Sequence, residues 1–294
     1  MRRLVVCLFT LVTLLFVSAA FATNARSAVS VAGNDANPCT VALPCRSFSV
    51  ALTNTAAGGE IVALDSAGYG PFTINQSVTV SGAPGVHAAI SVSSGDAIVI
   101  QGGTVTLRNL VFIGSGSASD AVNFEVGTKL HVSNCYIRGF ANRGIDSEWP
   151  GTLTFIDHTT VEDSGIAFGV DDTTAWISDS TAINCNVGIR SYASSGGFGS
   201  SVTAVNTNIV HSNTAGVDLV GFGSGNLAFV ALDRCSIVQS GITLGSGSGG
   251  STVLVLTGNT IDAISASGSY LIDSFGNNAI SYTGGATLTA VPLH

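Results

Sequence analysis

Two short pairs hold the acid–base potential of this 294-residue chain: Asp157 beside His158, and Asp171 beside Asp172. A carboxylate next to an imidazole can exchange protons near neutral pH. Two carboxylates can act as acid and base about a glycosidic bond. Neither pair sits in a complete catalytic pattern. The chain has no G-x-S-x-G, no H-E-x-x-H, no phosphate-binding loop and no calcium loop. The plain alternative for each pair is a polar corner between strands. No metal site is expected.

A second kind of chemistry comes from aromatic side chains in a repeat. Lys129–Gly151 is one unit of it: Leu130 and Val132 alternate with His131 and Ser133, as in a strand with one buried face. Two further short apolar segments follow, at Ile137 and Ile145. Three strands closing in about two dozen residues match one coil of a parallel β-helix. Ile137 has counterparts at Phe112, Val161, Ala182, Ile209, Ile237 and Ile261. Five residues before each stands another apolar residue: Leu107, Val132, Ile156, Ile177, Ala204, Leu232 and Leu256. A third column reads Val122, Ile145, Ile166, Ile189, Val217 and Ile242, with Gly144, Gly165, Gly188, Gly216 and Gly241 just before five of them.

If Leu130 and Val132 point inward, His131 points out. Its counterparts in the next two coils are Phe155 and Trp176, which predicts an outward stripe about 10 Å long. Arg108, Ser133, Asp157 and Ser178 form the adjoining outward column. Aromatic rings beside hydrogen-bonding groups suit sugar rings, so Arg108, His131, Phe155, Asp157 and Trp176 are the candidate carbohydrate-binding residues. Eight of the 18 acidic residues and both tryptophans lie between Asp146 and Asp179. The alternatives are a purely structural aromatic row, aligned because neighbouring coils align it, and catalysis at the same place.

The rest of the chain is consistent with an all-β, single-domain solenoid. Gly is abundant (36), charged residues are 10% of the chain, and Lys129 is its one lysine. Arg2-Arg3, the apolar run Leu4–Val17 and Ala20-Phe21-Ala22 read as a signal peptide over residues 1–22. Its removal leaves a net charge of −10, from 8 basic against 18 acidic residues. That disfavours nucleic acid and anionic membrane as partners. No membrane insertion is expected after cleavage, and the location is secreted or periplasmic. Residues 23–58 are read as a loose leader, a small loop closed by a Cys39–Cys45 disulfide, and a short helix from Phe48, capped by Ser47, that lids the core. Unlinked thiols are the alternative for the two cysteines. Coils fill 59–270, roughly nine or ten of them over about 45 Å, and 271–294 form a C-terminal cap. Cys135, Cys185 and Cys235 are expected to be buried free thiols.

The stretches GNDANPCTVALPCRSFSVAL, AAGGEIVALDSAGYGPFTINQSVTVSG and SFGNNAI carry a resemblance to right-handed parallel β-helix proteins of the pectin-lyase-like superfamily. More narrowly, they resemble exported bacterial members of unassigned activity. The resemblance implies right-handed winding. It also implies either a non-enzymatic protein binding a polysaccharide or cell-surface glycan, or a polysaccharide lyase or glycoside hydrolase acting on an acidic polysaccharide. Phe155-Ile156-Asp157-His158 is similar to the W-I-D-H stretch of pectate lyases, but their R-x-P-x-x-R is missing; a lyase of that kind would call for calcium. Asp171-Asp172 is similar to the paired aspartates of polygalacturonases, without their G-H-G or R-x-K. These gaps weigh against an enzyme.

Overall fold

The computed structural model describes residues 23–194 and 198–291; the signal segment lies outside them. Short runs of β-branched and aromatic residues form strands, and small polar residues turn the chain between them. Each coil contributes three strands, and each strand pairs in parallel with its counterpart one coil on. The first stack is a twelve-stranded sheet running from Asn24–Val29 to Thr289–Val291. Eleven steps at the usual strand spacing make it about 53 Å long. The second and third stacks are hydrogen-bonded as one seventeen-stranded sheet. Continuous strands such as Ser236–Gly247 run from one into the other.

The core is a set of files running down the axis. Val132 pairs with Leu107 and Ile156, and the file continues through Ile177, Ala204, Leu232 and Leu256. The file through Ile137 also holds without a slip from Phe112 to Ile261. All of these residues are buried. The third file needs a correction. Ile145 pairs with Phe168, not Ile166, and Phe168 pairs with Ile189. Ile166 lies opposite Arg143 and is half-exposed. The small-residue file beside it is therefore Gly144, Ala167, Gly188 and Gly216, while Gly165 belongs to the preceding corner.

The first corner of each coil repeats one backbone trick. Asn109, Asn134, His158, Asp179, Asn206 and Arg234 all have φ between 47° and 55°. Asn and Asp tolerate this left-handed region better than most residues. Neighbouring corners are also tied together: Asn134 Nδ2 donates to Asn109 Oδ1 at 2.7 Å, and Asn206 Nδ2 donates to Asp179.

The ends depart from expectation. The supposed loose leader contains the strand Asn24–Val29, paired with Thr55–Ala63 and burying Ser27, Ala28 and Val29. The Cys39–Cys45 disulfide closes its loop, which fastens that strand: Ala28 N donates to Cys39 O at 2.8 Å, and Cys45 N to Ala28 O at 3.0 Å. The helix Phe48–Thr53 follows, with Ser47 Oγ accepting from Val50 N. Phe48 stacks on Phe72 with ring centroids 4.9 Å apart, closing the core at this end. The supposed C-terminal cap instead holds more coil. Tyr270–Phe275, Ala279–Tyr282 and Thr289–Val291 each pair with the coil before. Ile272 and Ile280 extend the apolar files there, which accounts for the extra rungs.

Candidate functional site

The candidate carbohydrate-binding residues lie on the outer face of the first stack. Lys129–Ser133, Leu153–Asp157 and Thr174–Ser178 pair in register, which puts His131, Phe155 and Trp176 in one file. Thr203 and Ala231 continue it. Phe155 and Trp176 lie face to face, centroids 4.8 Å apart and planes 8° from parallel. That separation equals the strand spacing, so the rings stack along the solenoid axis. His131 meets Phe155 edge-on at 6.3 Å, and Lys129 Nζ lies 5.5 Å from the Phe155 centroid. One face of Trp176 is thus covered by Phe155. The other looks down the file toward Thr203 and Ala231, and the residue is 40% exposed.

Polar groups flank this ladder. Asp157 accepts from His131 Nε2 across one rung at 2.5 Å, and its other oxygen lies 3.2 Å from His158 Nδ1. A carboxylate on one ring nitrogen fixes the tautomer of the half-exposed His131 and leaves its second nitrogen as an acceptor. Arg108 shares the Asp157 column but engages Glu60 at 2.5 Å, and Glu60 also holds Arg26 at 3.1 Å. Arg108 therefore sits at the edge of the platform, already paired.

The two acid–base pairs do not converge. Asp157 ends a first-stack strand, whereas Asp171 ends a third-stack strand. Asp171 leads into Thr174, which lies opposite Leu153. The length of the strand Leu153–Asp157, roughly 13 Å, therefore separates the two carboxylates. His158 occupies the left-handed corner file. Asp172 is turned from Asp171 and accepts from the backbone and hydroxyl of Ser194. The acids between Asp146 and Asp179 are likewise spread over all three stacks and their corners, not gathered in one patch. Trp149 sits at a third-corner loop, away from Trp176.

What the sequence reading missed is on the third stack. Arg143 ion-pairs with Asp146, and with Asp171 at 2.8 Å. Its side chain crosses Gly169, where a Cβ would lie 2.9 Å from Arg143 Cδ. Burial pushes the Asp146 carboxyl up to about 7; Arg143 opposes this, and Glu148 and Asp171 add to it. The signal was present: a glycine in an outward file, between Asp146 and Arg190, marks room for a long side chain from the next rung. The free thiols Cys135, Cys185 and Cys235 are buried, and burial pushes them up to about 12, 11 and 11.

Three stacks of parallel strands, joined into two sheets, define a parallel β-solenoid. The chain belongs to the right-handed β-helix region family, whose model matches residues 75–231, more than half of its length. It is similar in structure to the pectate lyase Pel9A, at 14% identity and a TM-score of 0.51, over 93% of this chain and 78% of that one. A rhamnogalacturonan lyase is also similar, at 12% identity and a TM-score of 0.40, over 86% of this chain and 74% of that one. These likenesses concern the fold. No curated protein sequence matches the chain. None of the helices among the described residues is long and apolar enough to cross a membrane.

Proposed function

We propose that this is an exported β-helix protein that holds a polysaccharide or cell-surface glycan on the outer face of its first stack, without cleaving it. The observation that carries this reading is the open face of Trp176. The Phe155 ring fixes the indole from behind, and Thr203 and Ala231 leave a low shelf in front. A sugar ring lying on that shelf can stack against the indole, while Lys129 offers donors and the free His131 ring nitrogen an acceptor at the other end of the ladder. Export rests on the N-terminal apolar segment and on a disulfide, which persists in oxidising compartments.

Cleavage is not favoured. Glycosidases set two carboxyl groups about 5–10 Å apart across the scissile bond. Asp157 is farther than that from Asp171, and Asp171 is occupied by Arg143.

Mature protein, Trp176→Ala and Trp149→Ala are compared on a glycan array and then by titration calorimetry with the best ligand. Loss of one stacked ring, worth about 1 kcal/mol, is expected to weaken binding roughly fivefold in Trp176→Ala. Trp149→Ala binds as the parent does. Equal binding by parent and Trp176→Ala, or none by either, removes the proposal. Release of reducing ends or unsaturated products from the same glycans would replace it with an enzyme.

A further inference from the structure

The strand Asp120–Val126 of the third stack holds a second, independent feature. Asp120 is 4% exposed. Its Oδ2 accepts from Ser119 Oγ at 3.0 Å and Asn142 Nδ2 at 3.2 Å, while its Oδ1 is buried without a donor. Asn123 Oδ1 on the same strand is also buried without a donor. The Asn123 amide cannot be flipped to cure this. Its Nδ2 is committed to Asp96 at 3.0 Å and Glu125 at 3.4 Å. Asp96 in turn accepts from Asp120 N at 3.1 Å.

The charge here is one-sided. Asp96, Asp120 and Glu125 face only neutral donors, from Ser119, Asn123, Asn142 and Gln101. Arg143, the nearest cation in register, leans the other way, over Gly169. Two buried oxygens with lone pairs and no hydrogen to receive, beside uncompensated carboxylates, are an environment that a cation relieves. Burial and the neighbouring Asp96 both make the Asp120 anion harder to hold without one. No three carboxylate, imidazole or thiol groups among the described residues make a ligand set. Here the Asp96 carboxylate bridges Asp120 N and Asn123 Nδ2 and so brings an amide-bearing side chain to the carboxylate.

We propose that Asp120 Oδ1 and Asn123 Oδ1 ligate a hard divalent cation of the calcium class, with Asp96 and Glu125 supplying the surrounding negative charge. Mixed carboxylate and amide oxygens in irregular array suit calcium, which accepts six to eight oxygens in flexible geometry, water among them. The ion ties this strand to the charged cluster and leaves the aromatic platform untouched. The competing occupant is a proton on Asp120, donated to Asn123 Oδ1.

The test uses the mature protein stripped with chelator and titrated calorimetrically with calcium chloride, its thermal midpoint recorded with and without the ion. Single-site saturable uptake and a raised midpoint are expected. Asp120→Asn keeps the shape and can donate to Asn123 Oδ1 without any ion. It is expected to bind calcium at least tenfold more weakly and to lose the midpoint response. Asn123→Ala, which deletes the amide oxygen, is expected to lose both as well, whereas Trp176→Ala keeps both. No saturable uptake by the stripped parent, or uptake by Asp120→Asn equal to the parent's, overturns the proposal. So does a parent indifferent to calcium whose midpoint rises only on acidification, the mark of the proton.

Discussion

Gly188 offers a sharp test of how neighbouring coils fit. A Cβ there would lie 2.5 Å from Gly216 O and 2.5 Å from Ile209 Cγ2, both one coil on. Gly144 shows the same relation to Val161, and Gly216 to Ile237. The exception explains the rule. Where this file carries Ala167, the matching residue one coil on is Ala182, so a methyl is admitted only where its neighbour has shrunk. Gly188→Ala is therefore expected to cost about 1–3 kcal/mol by overpacking. At about 2–4 °C per kcal/mol, the midpoint falls by roughly 2–12 °C. Ile209→Ala alone leaves a cavity worth about 2–5 kcal/mol. The double variant relieves the Ile209 contact but not the approach to Gly216 O, so it stays less stable than Ile209→Ala while showing a favourable coupling of about 0.5–1 kcal/mol in a double-mutant cycle. Gly68→Ala, where an added Cβ meets nothing within 4 Å, is the control. Urea and thermal denaturation followed by circular dichroism measure all four. A Gly188→Ala as stable as Gly68→Ala, or strict additivity with Ile209→Ala, would refute the packing argument.

Four further outcomes are expected. Reducing the Cys39–Cys45 bond, or replacing both cysteines by Ser, should cost about 2 kcal/mol by freeing a short loop, read as a lower denaturation midpoint. Cys135, Cys185 and Cys235 should stay unmodified by a thiol-directed reagent in the folded protein and react on unfolding, because all three are buried with raised pKa values. Arg143→Met should destabilise by about 1–3 kcal/mol, since the buried oxygens of Asp146 and Asp171 lose their donors and Asp146 is driven to take up a proton, with Asp146→Asn partly rescuing it. The Asp146 carboxyl, about 7 when folded against a model value of 3.8, binds its proton more tightly in the folded state. Its stabilising contribution is complete below about pH 4 and is lost as pH rises through 7. The stability difference between parent and Asp146→Asn, measured in chelator, should therefore shrink over that range, by at most about 4 kcal/mol.

The sequence made the first two apolar files legible because the first corner keeps its length. One left-handed residue, from Asn109 to Arg234, turns every coil there, so a spacing of five between files repeats without error. The second corner does not keep its length. Eight residues separate Ile137 from Ile145, seven separate Val161 from Phe168, and five separate Ile237 from Ile242. Choosing Ile166 over Phe168 applied the wrong corner. The aromatic ladder was readable because it rides on the first stack, where register is fixed. The Arg143 network and the orphaned oxygens of Asp120 and Asn123 were not: although Asp146 is only three residues from Arg143, Asp171 and Asp96 reach these residues from coils more than 20 residues away across the variable corner. The leader was misread for another reason. Ala28 and Val29 bury themselves against a loop that a disulfide holds, and no local periodicity announces that.

The disulfide clasp also sets the direction in which the molecule comes apart. Each rung is held only by those on either side, so unravelling must begin at an end. One end is pinned by the Cys39–Cys45 loop and plugged by Phe48. At the opposite end of the described residues the strands are short, and Leu271 and Tyr282 are turned to water, 43% and 67% exposed. Heat, tension or a protease should therefore peel the rungs from the carboxyl side, and the aromatic ladder should outlast the first losses.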